Sequence, residues 1–208
     1  VVAWCAVSRL HARMYTAGYD RTSERLRQAH AALEAASHYD ADSGELHAAW
    51  GYYYYESARD YERALKELVV AREKLPNSAE VLELSGYVQR RAGQWEEATR
   101  SLERAVELDP RNVQPLQQLA LTYQPQRRYQ DEARIYDRVL ALIPGDGFTL
   151  GLHALVPLDW KADLRPYQRL MAELLPTDPK KAAEADDINY TICERTSEAY
   201  ARGLKYYP

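Results

Sequence analysis

Apolar residues recur every three or four positions along most of this chain, as expected for helices that each bury one face. The stretch NSAEVLELSGYVQRRAGQWEEATRSLERAVELDPRN, residues 77–112, contains two apolar stripes separated by Ala92, Gly93 and Gln94. Gly93 can end a helix in the left-handed conformation, and Pro110 cannot continue the next helix. The stretch therefore predicts two helices joined by a tight turn.

This pattern returns at a fixed interval. Pro76, Pro110 and Pro144 follow one another at intervals of 34 residues, a period typical of stacked helix pairs. A coiled coil would need unbroken heptads, so the recurring breakers exclude it, whereas a compact bundle stays open for the residues after 146. The small residues Gly86, Ala98 and Ala105 let neighbouring helices approach closely. The large residues Trp95 and Leu102 are expected to fill the space between the helices.

These intervals predict an all-α solenoid of about six antiparallel helix pairs, forming a single domain over residues 1–208. The last two pairs are predicted to be helical, although they diverge from the repeat pattern. The chain begins with Val1 rather than methionine, which suggests a fragment of a longer protein. The approximate units are 1–43, 44–78, 79–112, 113–146, 147–178 and 179–208.

Several units depart from the pattern. The first has a longer loop at MYTAGYDRT, after which Thr22 or Ser23 is expected to cap the second helix. The second unit carries one extra residue near ESARD. In the fourth, Pro125 is expected to shorten the first helix, and Glu132 replaces a small residue. In the fifth, Pro157 is expected to end the first helix.

Composition and motifs exclude several classes of function. The net charge of −4 and the pI of about 5.8 argue against a nucleic-acid partner, which needs a basic field. No apolar run reaches the roughly 18 residues of a membrane span. Cys5 and Cys193 lie near opposite ends and lack the spacing of a zinc site. Since no nucleotide-binding or catalytic motif occurs either, the sequence predicts no metal, no cofactor and no enzyme activity.

On its 34-residue period and its small and large positions, the chain resembles the tetratricopeptide-repeat family over nearly its whole length. The resemblance implies a right-handed superhelix of helix pairs that binds proteins or peptides in its concave groove and is seldom catalytic. The phrases AGYDRTSERL, GYYYYESARDYERAL, GYVQRRAGQWEEA and LDWKAD also resemble repeat regions of large bacterial signalling proteins. In those proteins the repeats follow a nucleotide cyclase, a protein kinase or a winged-helix regulator. A cytoplasmic location is expected.

The resemblance also implies which residues line the groove, because fixed positions of each first helix face it in this family. Tyrosine and arginine are residue types that anchor bound chains; the alternative is that the arginines only keep the surface soluble. The asparagine and lysine residues with which some members clamp the C-termini of chaperones are absent from the matching positions. The positions carried over are Arg9, Arg13, Tyr52, Tyr55, Glu56, Glu83, Tyr87, Arg90, Arg91, Gln117 and Gln124.

Four consecutive tyrosines, Tyr52 to Tyr55, fall inside one predicted helix. Successive helical residues turn by about 100°, so the four rings cannot share one face. The repeat register directs Tyr52 and Tyr55 to the groove, Tyr54 between the paired helices and Tyr53 toward the preceding pair. Tyr61 begins the second helix and is predicted to belong to the core.

Together these features favour a non-catalytic scaffold that binds a protein or peptide, as the interaction segment of a larger signalling protein. A ligand-sensing domain for a small molecule or a signalling peptide stays open as the alternative. A third and weaker alternative is an enzyme that uses Asp159, Trp160 and Asp163. If repeats continue beyond this segment, its uncovered terminal faces predict end-to-end self-association.

Overall fold

Helices make up all the regular structure of residues 1–186, the part of the chain that the computed structural model describes. Consecutive helices pack in pairs, so the fold is an all-α solenoid of helix pairs. The first six are α1 (Val2–Thr16), α2 (Ser23–Ser37), α3 (Gly44–Tyr53), α4 (Tyr61–Lys74), α5 (Ala79–Arg91) and α6 (Trp95–Leu108). The next five are α7 (Val113–Tyr123), α8 (Tyr129–Leu142), α9 (Gly147–Lys161), α10 (Arg165–Thr177) and α11 (Pro179–Ala185).

The chain divides into two compact units, Val1–Pro110 and Arg111–Pro208. The first unit holds α1 to α6, and the described part of the second holds α7 to α11. A single continuous domain over the whole chain stays a prediction. The second helix expected in residues 179–208, together with Cys193, lies outside the described residues.

Polar side chains define where most first helices begin. Ser43, Ser78, Asn112 and Asp146 precede α3, α5, α7 and α9, and each accepts a hydrogen bond from a backbone N–H of the first turn. Such a cap contributes about 1 kcal/mol to helix stability. Thr22 caps α2 in the same way, which confirms one of the two caps that the sequence predicts.

Glycine permits close contact where the paired helices cross. A Cβ on Gly51 would lie 2.8 Å from Cγ of Leu68, and one on Gly86 would lie 2.6 Å from Cγ of Leu102. Trp95 differs from the prediction that it fills the space between helices, because its side chain is 39% exposed. It is the first residue of α6, so much of its ring projects past the end of the helix pair.

Residues in the left-handed conformation close most of the turns between paired helices. Gly93 follows α5 with a φ of 79°, as the sequence predicts for this position. Arg59, Arg127 and Ala162 adopt φ angles of 51°, 58° and 53° at the corresponding turns. Because a side chain in this conformation costs roughly 1–2 kcal/mol, these three turns are strained where the turn at Gly93 is not.

Two prolines of the second unit affect their helices differently. Pro125 confirms the prediction that it shortens a helix, because α7 ends two residues earlier and the 3-10 turn Gln124–Gln126 follows. The prediction that Pro157 ends α9 is wrong, because this helix continues to Lys161. Proline removes one backbone donor, but its fixed φ suits a helix. The helix ends instead where Ala162 turns left-handed.

A single π-helical turn, Tyr54–Ala58, follows α3 and accommodates the extra residue of the second helix pair. The carbonyl oxygen of Tyr54 accepts hydrogen bonds from the backbone N–H groups of Arg59 and Asp60. Turns of this kind occur frequently at functional sites. This one carries Tyr55 and Glu56, two residues of the predicted groove.

Candidate functional site

Predicted groove residues of α1 and α3 come together in the first unit. The hydroxyl of Tyr52 lies within electrostatic reach of Glu56, Arg13 and Arg9. Burial raises the pKa of Tyr52, and the charge of Glu56 raises it further, while Arg13 and Arg9 act in the opposite direction. Residues that are separated by some forty positions in sequence therefore form one polar cluster.

Helix α5 contributes to the same face. Arg9 of α1 forms an ion pair with Glu80 near the start of α5, and the hydroxyl of Tyr87 donates a hydrogen bond to Glu83. Burial raises the pKa of Glu83, and the hydrogen bond from Tyr87 opposes this rise. The ion pair links the first helices of the first and third helix pairs directly.

The C-terminal end of α5 approaches the π turn. Burial lowers the pKa of Arg90, the neighbouring charge of Arg91 lowers it further, and Tyr55 and Tyr87 raise it. Arg90 is half-buried and Arg91 is exposed. Of these two adjacent arginines, Arg91 therefore presents its guanidinium to solvent.

A cavity of about 630 Å³ opens at this end of the groove. It is formed by the last residues of α1, the loop after α1, the π turn, the start of α4 and the end of α5. Its volume lies within the usual range of ligand sites. The lining residues are Tyr15, Thr16, Arg21, Tyr55, Glu56, Ser57, Arg59, Tyr61 and Arg91.

Glu56 is the carboxyl group of this cavity. Burial raises its pKa, while a hydrogen bond from Thr16 and the charges of Arg59 and Arg13 act to lower it. The raised pKa shows that burial outweighs the surrounding positive charge. Glu56 joins the cavity to the polar cluster around Tyr52, because it is close to both.

The run of tyrosines separates by direction. The ring of Tyr53 packs edge-on against His30 of α2, with centroids 5.7 Å apart, which agrees with its predicted direction toward the preceding pair. Tyr54 packs toward α4, where the guanidinium carbon of Arg63 lies 5.3 Å from its ring centre. Tyr55 lines the cavity but also packs against a core cluster that includes Leu68.

Tyr61 has two roles where the sequence predicts one. It packs against the same core cluster, yet it is half-buried and lines the cavity. Its ring centre lies 6.2 Å from that of Tyr55. The first residue of a helix projects past the helix pair, so Tyr61 extends into the cavity.

Two predicted groove residues lie in the second unit and contact α9. The side-chain nitrogen of Gln117 donates hydrogen bonds to Asp146, at 3.0 Å, and to Thr149, at 2.8 Å. The nitrogen of Gln124 donates to Asp159 at 2.6 Å. These glutamines connect α7 to the next first helix, and the structure leaves their binding role a prediction.

The residues considered for an enzyme are engaged in structural contacts. Asp159 accepts the hydrogen bond from Gln124, and Trp160 stacks on Tyr129 with ring centres 6.4 Å apart. The Arg165 side chain binds Asp163 and lowers the pKa of that carboxyl to about 2. Each of the three residues therefore has a contact within the fold.

Sequence reasoning missed six residues of the cavity. It followed fixed positions of each first helix, whereas much of the cavity lining lies in the turns after those helices. The extra residue near ESARD was the available signal, because it marks an irregular turn beside the predicted groove. The missed residues are Tyr15, Thr16, Arg21, Ser57, Arg59 and Tyr61.

Within residues 1–186, no group of three or more histidine, cysteine or acidic side chains is arranged to hold a metal ion. In the same part of the chain, no helix combines the length and apolar character needed to cross a membrane.

No protein-family model and no curated protein matches this sequence. Solved structures do match. A tetratricopeptide-repeat protein from Parabacteroides merdae has a TM-score of 0.67 and 16% identity, covering 96% of this chain and 79% of that one. MamA has a TM-score of 0.65 and 19% identity, with coverages of 78% and 94%.

A third similar structure is YrrB, described as a tetratricopeptide-repeat protein with an unusual peptide-binding site. Its TM-score is 0.62 at 16% identity, and the match covers 84% of this chain and 87% of YrrB. Identities this low establish the fold alone. This chain shares the helix-pair fold of tetratricopeptide-repeat proteins.

Proposed function

We propose that this protein is a non-catalytic scaffold that binds a protein or peptide in the groove of its first compact unit. The observation that carries the proposal is the cluster of Tyr52, Arg9, Arg13 and Glu56, which continues into the cavity of about 630 Å³. Tyrosine and arginine side chains dominate the binding energy of many protein interfaces. YrrB, which shares the fold, is described as having a peptide-binding site.

The shape of the site suits an extended chain better than a compact domain. The cluster runs along α1, α3 and α5, and the cavity forms one end of it. Tyr52 keeps an apolar ring half-buried and a polar hydroxyl near charged groups, which suits contact with both backbone and side chains of a ligand.

We also propose that the chain is the interaction segment of a larger bacterial signalling protein in the cytoplasm. Support comes from the resemblance of its repeat phrases to the repeat regions of such proteins. Sequencing the complete gene tests this part, since it predicts an effector domain in the same open reading frame.

The binding proposal is tested by affinity capture from the source organism with the double variant Tyr52→Ala/Arg13→Ala. Both side chains face the polar cluster, so the variant should lose a partner that the native chain retains. The control is Tyr39→Ala/Arg72→Ala, which changes the same residue types at exposed positions elsewhere in the unit. Equal capture by the groove variant and the control would contradict the proposal.

The cavity volume favours a second candidate function, the sensing of a small ligand, because sites for small molecules commonly measure about 300–1,000 Å³. A thermal-shift screen with metabolites separates the two candidates. A compound that raises the melting temperature of the native chain, and has no effect on Arg91→Gln, would favour sensing.

A further inference from the structure

Three arginine residues from separate parts of the chain line the cavity. Arg21 lies in the loop between α1 and α2, Arg59 follows the π turn, and Arg91 is the last residue of α5. All three residues are exposed. Their convergence follows from the fold, because each stands at the C-terminal end of a first helix or just beyond it.

Positive charge exceeds negative charge in this cavity. Among the described residues, none of the three arginines forms an ion pair with a carboxylate, and Glu56 is the one carboxyl group in the lining. Arginines elsewhere in the first unit do form such pairs, as Arg25 does with Asp20 at 2.6 Å. Three positive groups against one carboxyl leave an excess of at least two charges.

The rest of the lining suits carboxylate oxygens. Tyr15, Tyr55 and Tyr61 contribute phenol groups, which can donate hydrogen bonds. The hydroxyls of Thr16 and Ser57 already donate to the carbonyl oxygens of Ala12 and Tyr53. Arginine binds carboxylates through paired N–H donors, and such charge-assisted bonds are stronger than neutral ones.

We infer that this cavity binds two neighbouring acidic side chains of the peptide that occupies the groove. The inference rests on the proposed function and names the chemistry of its ligand. Two carboxylates match the excess of two positive charges, and the peptide continues from the cavity along α3 past Tyr52. Glu56 competes with the incoming carboxylates, because it is the like charge nearest to them.

Fluorescence anisotropy with the full chain tests the inference. The probe is a labelled extended peptide with one Asp-Glu pair, and its matched control carries Asn-Gln at the same place. We expect the triple variant Arg21→Gln/Arg59→Gln/Arg91→Gln to weaken binding of the acidic peptide by about tenfold or more. Glu56→Gln should strengthen binding several-fold.

The control variant is Arg72→Gln/Arg111→Gln/Arg138→Gln, which makes the same change of charge at exposed positions outside the cavity. It should weaken binding by less than about twofold, because solvent screens exposed charges that do not line the cavity. If the triple cavity variant does not fold, Arg91→Gln alone should still weaken binding, since that side chain is exposed.

Three results would overturn the inference: equal binding of the acidic and amide peptides, equal affinity of the two triple variants, or binding of citrate alone as tightly as the acidic peptide. The last result would assign the cavity to a small free anion. If Tyr52→Ala/Arg13→Ala loses its partner while the triple cavity variant retains it, the groove function stands and this inference fails.

Discussion

The two compact units use their first helices differently. In the first unit, polar side chains of α1, the π turn after α3, and α5 surround a cavity. In the second, Gln117 of α7 and Gln124, which directly follows α7, are already hydrogen bonded to residues of the next first helix and its N-cap. Side chains at equivalent repeat positions thus point in the same direction but are not equally available to a ligand. A side chain that is hydrogen bonded to the neighbouring helix must break that bond before it can bind a ligand.

A second difference lies between the paired helices. Ala98 of the first unit is fully buried where α5 and α6 cross, and the equivalent residue of the second unit is Glu132. Glu132 is 2% exposed, and its Oε2 has no hydrogen-bond partner among the described residues. Burial, with a contribution from Asp159, raises the pKa of Glu132 to about 8. The second unit therefore tolerates an acid where the first has an alanine.

The largest effect is expected for Ala98→Glu, which places the acid of the second unit into the first. The helices cross closely here, as the contact between Gly86 and Leu102 shows, so the new carboxyl would be buried without room. We expect the free energy of unfolding to fall by about 3 kcal/mol or more. Urea denaturation measures this free energy. A loss below about 1 kcal/mol would mean that the helix crossings of the two units accommodate a buried acid equally well.

Tyrosines at equivalent positions of the second and fourth helix pairs give the next comparison. Tyr123 is buried and has the guanidinium carbon of Arg128 4.2 Å from its ring centre, while Tyr54 is half-buried. We expect Tyr123→Ala to lower the free energy of unfolding by about 3 kcal/mol and Tyr54→Ala by about 2 kcal/mol. Tyr52→Ala should cost less than Tyr54→Ala; the reverse order would contradict the direction assigned to these rings.

The pH dependence of Glu132 is a third test. Its pKa is raised in the folded state, so its carboxyl contributes no penalty below about pH 4.3, the unfolded value. The free energy of unfolding falls as the pH rises from this value through about 8, where the buried carboxyl loses its proton. Glu132→Gln should remove this loss, so its free energy of unfolding should exceed that of the native protein by roughly 2 kcal/mol near pH 6 and by more at higher pH. Chemical denaturation across this range measures it, and parallel pH profiles for the two proteins would contradict the burial of a lone acid.

The smallest effects are expected at the turns. Gly93 and Arg127 both adopt positive φ at equivalent turns of the two units. Gly93→Ala should lower the melting temperature in line with a loss of about 1 kcal/mol. Arg127→Gly should raise stability by roughly 0.5 kcal/mol, because relief of strain slightly exceeds the added freedom of the unfolded chain. A loss in both variants would show that the turn at Arg127 is not strained.

The fold was predictable from the sequence because the spacing of helix breakers and small residues indicates repeated helix pairs. Regular breakers and small residues such as Gly86 set the period, and Ser78 and Asn112 mark helix starts. The spacing could not predict how the backbone accommodates residues that interrupt the repeat pattern. Pro157 remains inside a helix, and the extra residue near ESARD became a π turn instead of a longer loop.

The candidate site was predictable in part. The register brought Tyr52 and Arg13 to one cluster, because both lie within first helices and not in the turns. Arg21 and Arg59 were missed because they lie in turns, whose conformation depends on single residues. A binding role for the whole predicted set stays a prediction.

Hydrogen–deuterium exchange of the full chain, with and without the acidic peptide, tests most directly whether the first unit holds the binding site. Peptide binding should slow amide exchange in residues 52–59 and at the C-terminal ends of α1 and α5, with no change in α7. Slowed exchange confined to α7 and α9, with none around the π turn, would contradict the account.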